Sequence, residues 1–187
     1  MGFEMRRNAR IAGFCSWPVL LGPVLLGPVL LGACSGLASL TPPVAEFGAA
    51  SVFSPAGYAQ TRLDDRHYQV TAAGTEATPK DRVEKIARAR AAQIGVEQHL
   101  KYFKVTSVQH GVVCEKRQDG YKTTSTPAAS HPTVVLDVIY AQDAADPAFV
   151  SAADTLNALK AELAGDTVAP DARAVAIQET RSSCGRV

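Results

Sequence analysis

The chain has 187 residues, with 19 Lys and Arg against 18 Asp and Glu, for a formal net charge of +1. That balance argues against nucleic acid as a partner, because phosphate recognition needs a clustered positive surface. The length beyond the opening segment suits one ordinary domain. An aromatic share of only 6% predicts a core of aliphatic side chains and alanine.

The first 34 residues have a layered pattern. Arg6, Arg7 and Arg10 precede an apolar stretch, and small residues lead to a cysteine in Leu31-Gly32-Ala33-Cys34. This layout resembles the signal peptide and lipobox of bacterial lipoproteins. The resemblance implies that Cys34 carries a covalent diacylglycerol, that residues 1–33 are removed, and that the new amine receives a fatty acyl group. Ser35 follows the cysteine, where an Asp would mark retention in the inner membrane, so the resemblance points to the periplasmic face of the outer membrane. The competing reading is an uncleaved membrane helix, since Ile11 to Ala33 is long and apolar enough to span a bilayer. Pro18, Pro23 and Pro28 each remove a helix donor and speak against it. Met5 is an alternative start, which would place Arg6 directly at the head of the basic region. Removing residues 1–33 leaves 16 basic and 17 acidic side chains.

Residues 34–56, with Gly36, Pro42, Pro43, Gly48 and Pro55 among small residues, are expected to form a flexible tether. A single domain is expected over 57–187, ending in a C-terminal tail. Arg66 to Ala73 alternates as a half-buried strand does, with Tyr68, Val70 and Ala72 on one face. Thr78, Pro79 and Asp81 then supply a side-chain cap, a proline at the first helical position and a carboxylate near the positive end of the helix dipole. Along the helix Val83, Ile86, Ala87, Ala91 and Ile94 form an apolar stripe, read as core.

Tyr102 to Val113 predicts a second strand with a bulge or bend at Gly111. Asp119-Gly120 signals a turn, and the stretch through Pro127 and Pro132 a loop. Thr133 to Tyr140, nearly continuous in Val, Leu and Ile, predicts a central strand. Asp146 and Pro147 are expected to open a second helix whose apolar face runs from Phe149 through Leu156 to Leu163 and stops at Gly165. Val175 and Ile177 suggest a short further strand. The expected fold is α+β, a small mainly antiparallel sheet with two helices on one face.

Between Gly57 and Val105 several pieces stand in a distinctive order: Gly57-Tyr58, Thr61-Arg62-Leu63, Tyr68-Gln69-Val70, Arg90-Ala91-Ala92 and Tyr102-Phe103-Lys104-Val105. They resemble a family of short, uncharacterised Gram-negative envelope lipoproteins. Where that family closes the helix with Gly, this chain has His99, and the resemblance implies a left-handed backbone there. It brings no activity with it.

The four histidines are scattered, and no metal-ligand spacing, phosphate loop or nucleophile elbow is present. No metal or cofactor is expected beyond the lipid on Cys34. Arg90 falls on the apolar stripe and must find a partner. An ion pair with Asp64, Asp65 or Asp137 is the plainer expectation, and a ligand groove shared with Tyr58 and Arg62 the sharper one. Cys15 leaves with the signal peptide and the Cys34 thiol is consumed by the lipid, so Cys114 and Cys184 are expected to form a disulfide. The alternative for that pair is one buried and one free thiol. The leading functional expectation is a lipid-anchored, non-catalytic binding or assembly module that engages an envelope protein. The alternative is an enzyme whose site gathers from separate strands.

Overall fold

The computed structural model describes residues 42–51, 54–114, 130–144 and 146–185. Its elements are β1 (Gly57–Arg62), β2 (His67–Ala73), α1 (Lys80–Glu97), β3 (Tyr102–Val113), β4 (His131–Ala141), β5 (Val150–Ser151), α2 (Ala152–Gly165) and α3 (Pro170–Ser183). The strands form one sheet in the order β1-β2-β4-β3-β5, every neighbouring pair antiparallel. β4 fills the gap between β2 and β3, which α1 joins, so the centre is a split β-α-β unit. The α+β class and the central place of the Val-rich strand are as the sequence predicts.

The alternation of β2 and β4 explains the layers. Tyr68, Val70 and Ala72 share the buried face with Val134, Leu136, Val138 and Tyr140, and α1 covers them with Val83, Ile86, Ala87, Ala91 and Ile94. α1 is buried on a second side as well. Ala89, Ala92 and Gly95 recur every three residues, and α2 packs against α1 with Ala152, Leu156 and Leu163 in the same core. At Gly95 a Cβ would lie 2.7 Å from that of Ala152, so only glycine permits this approach.

Helix ends and strand limits depart from expectation in physically informative ways. Pro79, rather than Thr78, is the N-cap of α1, and no side chain caps it. The Thr78 hydroxyl instead accepts hydrogen bonds from the N–H groups of Thr75 (2.8 Å) and Ala45 (3.0 Å). The bulge in β3 lies between Val105 and Ser107, not at Gly111. β4 begins at His131, with Pro132 already in the ladder opposite Val112. Asp146 and Pro147 make a turn, and β5 intervenes before α2, whose N-cap Ser151 accepts from the Asp154 N–H. Phe149 therefore precedes the helix. Val175 and Ile177 lie on α3, not on a strand. The turn at Asp119-Gly120 and Pro127 lies outside the described residues. The strand β1 had no expectation at all, since Gly57–Arg62 offers no apolar alternation.

The largest correction concerns residues 42–51, expected as tether. Ala45 is 3% exposed, and Phe47 packs against the core. The Pro43 carbonyl accepts from Thr75 Oγ1 at 2.6 Å. Further on, Tyr58 N–H donates to Gly48 O and Ala50 N–H to Tyr58 O, both at 2.9 Å. Gly57, at φ 132°, lets this strap cross: a Cβ there would meet Gly48 O at 2.5 Å.

Candidate functional site

Of the residues singled out from sequence, Tyr58 and Arg90 meet and Arg62 stands apart. β1 presents Tyr58 and Gln60 toward the flank of α1 that carries Arg90. Arg90 Nε donates to Gln60 Oε1 at 3.1 Å, Nη1 donates to Glu97 Oε1 at 2.9 Å, and the guanidinium carbon stands 5.1 Å from the Tyr58 ring centroid. Tyr58 in turn stacks on Phe47, with ring centroids 5.0 Å apart. The ion pair expected for Arg90 exists, but its acid is Glu97. Asp137 instead accepts from Gln69 Nε2 at 3.2 Å, and Asp65 pairs with Arg62. Arg62 Nε also donates to the Asp64 carbonyl, so this exposed side chain closes its own turn. A guanidinium with three neighbours already in place joins β1 to α1, with two of its five N–H donors engaged by Gln60 and Glu97.

A second arginine of α1, Arg82, carries no motif in the sequence. Arg82 is 6% exposed; its Nε donates to Ala45 O (3.0 Å), Nη1 to Asp166 Oδ2 (3.1 Å) and Asp166 O (3.2 Å), and Nη2 to Leu163 O (3.3 Å). The guanidinium thus closes the carbonyl end of α2, where a cation is favoured by the helix dipole, and clasps the 42–51 strap. The available signal is positional: Arg82 stands four residues before Ile86, at the edge of the apolar stripe.

The histidines are dispersed, as their spacing indicates. His99 takes φ 56° and completes a Schellman end to α1, in which Leu100 N–H donates to Gly95 O (2.8 Å) and His99 N–H to Val96 O (3.2 Å). His110 Nε2 lies 3.3 Å from Glu84 Oε2, and His131 is buried at the start of β4. His67 Nε2 is buried without a hydrogen-bond partner. Among the described residues no group of three His, Cys, Asp or Glu side chains is placed to hold a metal. Tyr140 donates its hydroxyl to Ala91 O at 2.8 Å, and burial holds this phenol well above its usual range, so it stays neutral.

Matching against protein-family models, curated proteins and solved structures finds no relative of this chain.

Among the described residues, three of the cavities are lined by helical residues. The first, of about 420 Å³, lies between the strap and the end of α2, with Phe47, Lys160 and Glu46 on its walls. Arg82 and Asp166 also line it but neutralise each other. The second, about 460 Å³, lies at the end of α1 beside Val96, His99, Leu100 and Tyr102. The third, about 360 Å³, lies between Lys80 and Asp81 of α1 and Asp171, Val175 and Glu179 of α3. None of the three is lined by Tyr58, Arg62 or Arg90.

Cys114 and Cys184 form the expected disulfide, with Cα atoms 5.7 Å apart. It joins the end of β3 to the end of α3. Cys34 lies outside the described residues. Among the described residues no helix is long and apolar enough to cross a membrane.

Proposed function

We propose that this chain is a lipid-anchored protein of the bacterial cell envelope, held through Cys34 at the periplasmic face of the outer membrane and acting as a non-catalytic binding or assembly module. The observation that carries the reading is the order of basic residues, apolar stretch and Leu31-Gly32-Ala33-Cys34. The disulfide supports it, because such bonds persist in oxidising compartments. The near-equal count of acidic and basic side chains supports a partner other than nucleic acid.

On this reading the strap has a consequence for reach. A hydrogen bond already engages Pro43, so eight residues lie between it and Cys34, and nine fully extended steps span about 30 Å. The domain would then work close to the membrane surface, and a partner would have to be membrane-proximal or itself anchored. Labelling with a radioactive fatty acid tests the anchor. The native chain should take up label and be shortened by processing, whereas Cys34→Ala should do neither; normal labelling of that variant would refute the proposal. Affinity purification from detergent-solubilised membranes then identifies the partner.

A further inference from the structure

The two edges of the sheet are treated differently. On β1 the strap occupies the outward N–H and C=O of Tyr58, and Arg62 places a charge at the far end. Those are usual ways of preventing one sheet from adding to another. On β3, β5 pairs with Tyr102 and Phe103, and among the described residues no strand pairs the outer side from Ser107 to Val113. That run is Ser-Val-Gln-His-Gly-Val-Val, without Lys, Arg, Asp, Glu or Pro. The bulge at Val105 and Ser107 interrupts the edge only at its beginning.

The side chains there are also unfinished as core. Val108 and Val112 oppose Leu136 and Pro132 and so lie on the helix-covered face of the sheet. Yet Val108 is 37% exposed and Val112 only half-buried, while His110 between them reaches Glu84 of α1. On the same flank Glu84 is engaged by both Arg88 (2.7 Å) and His110 (3.3 Å), so it presents no unpaired charge to an approaching strand.

We infer that the β3 edge from Ser107 to Val113 is the surface on which a second copy of this chain pairs, antiparallel, to make one continuous sheet. The segment is self-complementary. A two-fold axis at His110 sets Val108 of each copy against Val112 of the other and Gln109 against Gly111, so that four valines extend the two cores into one another. No like charges of Lys, Arg, Asp or Glu meet across that register. The pairing does not depend on the lipid anchor, and a Cys34→Ala chain should pair equally.

The test uses the full chain in non-ionic detergent. Sedimentation equilibrium should give a dimer, and hydrogen exchange across a hundredfold concentration range should show protection of residues 107–113 rising with concentration while residues 59–62 of β1 stay unchanged. Replacing both valines, Val108→Lys with Val112→Lys, should weaken the dimer at least tenfold by opposing like charges across the ladder. The exchange measurement needs no variant, so misfolding of the lysine variant would not leave the inference undecided. A monomer throughout the range, a dimer without added protection at 107–113, or protection of that edge by a different co-purified protein would each overturn it.

Discussion

The strap at residues 42–51 and the helix α3 are both additions to the layers of sheet, α1 and α2, yet they are held by different means. The strap places Ala45 in the core and gives its N–H and C=O to Thr78 and Arg82, while Phe47 stacks on Tyr58. α3 buries only Ala176 and Thr180 among its described side chains. Among the described residues it is also tied by the disulfide and two partly exposed ion pairs, Arg181 with Glu76 at 2.8 Å and Lys80 with Glu179 at 3.2 Å. Surface pairs of that kind contribute little, commonly about 0–1 kcal/mol each. Removing the strap would strand buried polar groups of the core, so it must open with the core. Removing α3 exposes little, so a covalent link is what keeps it in place.

That contrast can be broken from either side. The largest effect is expected from deleting the disulfide with Cys114→Ala and Cys184→Ala. Closing a 70-residue separation should be worth about 4 kcal/mol in the chain-entropy account, measurable by urea unfolding. Next is Arg82→Ala, which takes away four hydrogen bonds at once and should cost about 3 kcal/mol. Arg82→Lys should recover only a minor part, because one ammonium cannot reach acceptors on the strap and α2 together. Thr78→Val keeps the shape but leaves the N–H groups of Ala45 and Thr75 without their acceptor, at about 2 kcal/mol. Calorimetry on that variant should still show one transition if the strap belongs to the core. The smallest effect has the opposite sign. His99→Gly relieves a left-handed residue outside both flanks and should stabilise the whole domain by about 0.5–1 kcal/mol.

What the sequence disclosed follows from the range of the forces involved. The strands β2, β3 and β4 and the helix α1 announce themselves by local period, and the disulfide by the exclusion of other cysteines. β1 carries no such period because its outer residues Ala59 to Arg62 are exposed. It is a strand because β2 offers it a ladder. The strap was unreadable for a related reason: Gly, Pro and Ala are what a tether contains, and they are equally what a segment needs in order to cross closely over Gly57. At α3, Val175 and Ile177 suggest alternation, whereas Pro170 at its first turn and the buried Ala176 and Thr180 four residues apart fit a helix. The need of Arg90 for a partner is legible, but its acid is Glu97, seven residues on along the same helix, rather than a distant aspartate. Arg82 required knowledge of where α2 ends.

Native-state hydrogen exchange on the oxidised and the reduced protein tests the contrast most directly. Upon reduction the amides of α3 should exchange far faster than before, through an opening that leaves the sheet closed. The N–H groups of Ala45, Ala50 and Tyr58, bonded to Thr78, Tyr58 and Gly48, should keep exchanging together with the core in both states. Protection of α3 that survives reduction, or a strap that opens ahead of the core, would contradict the account.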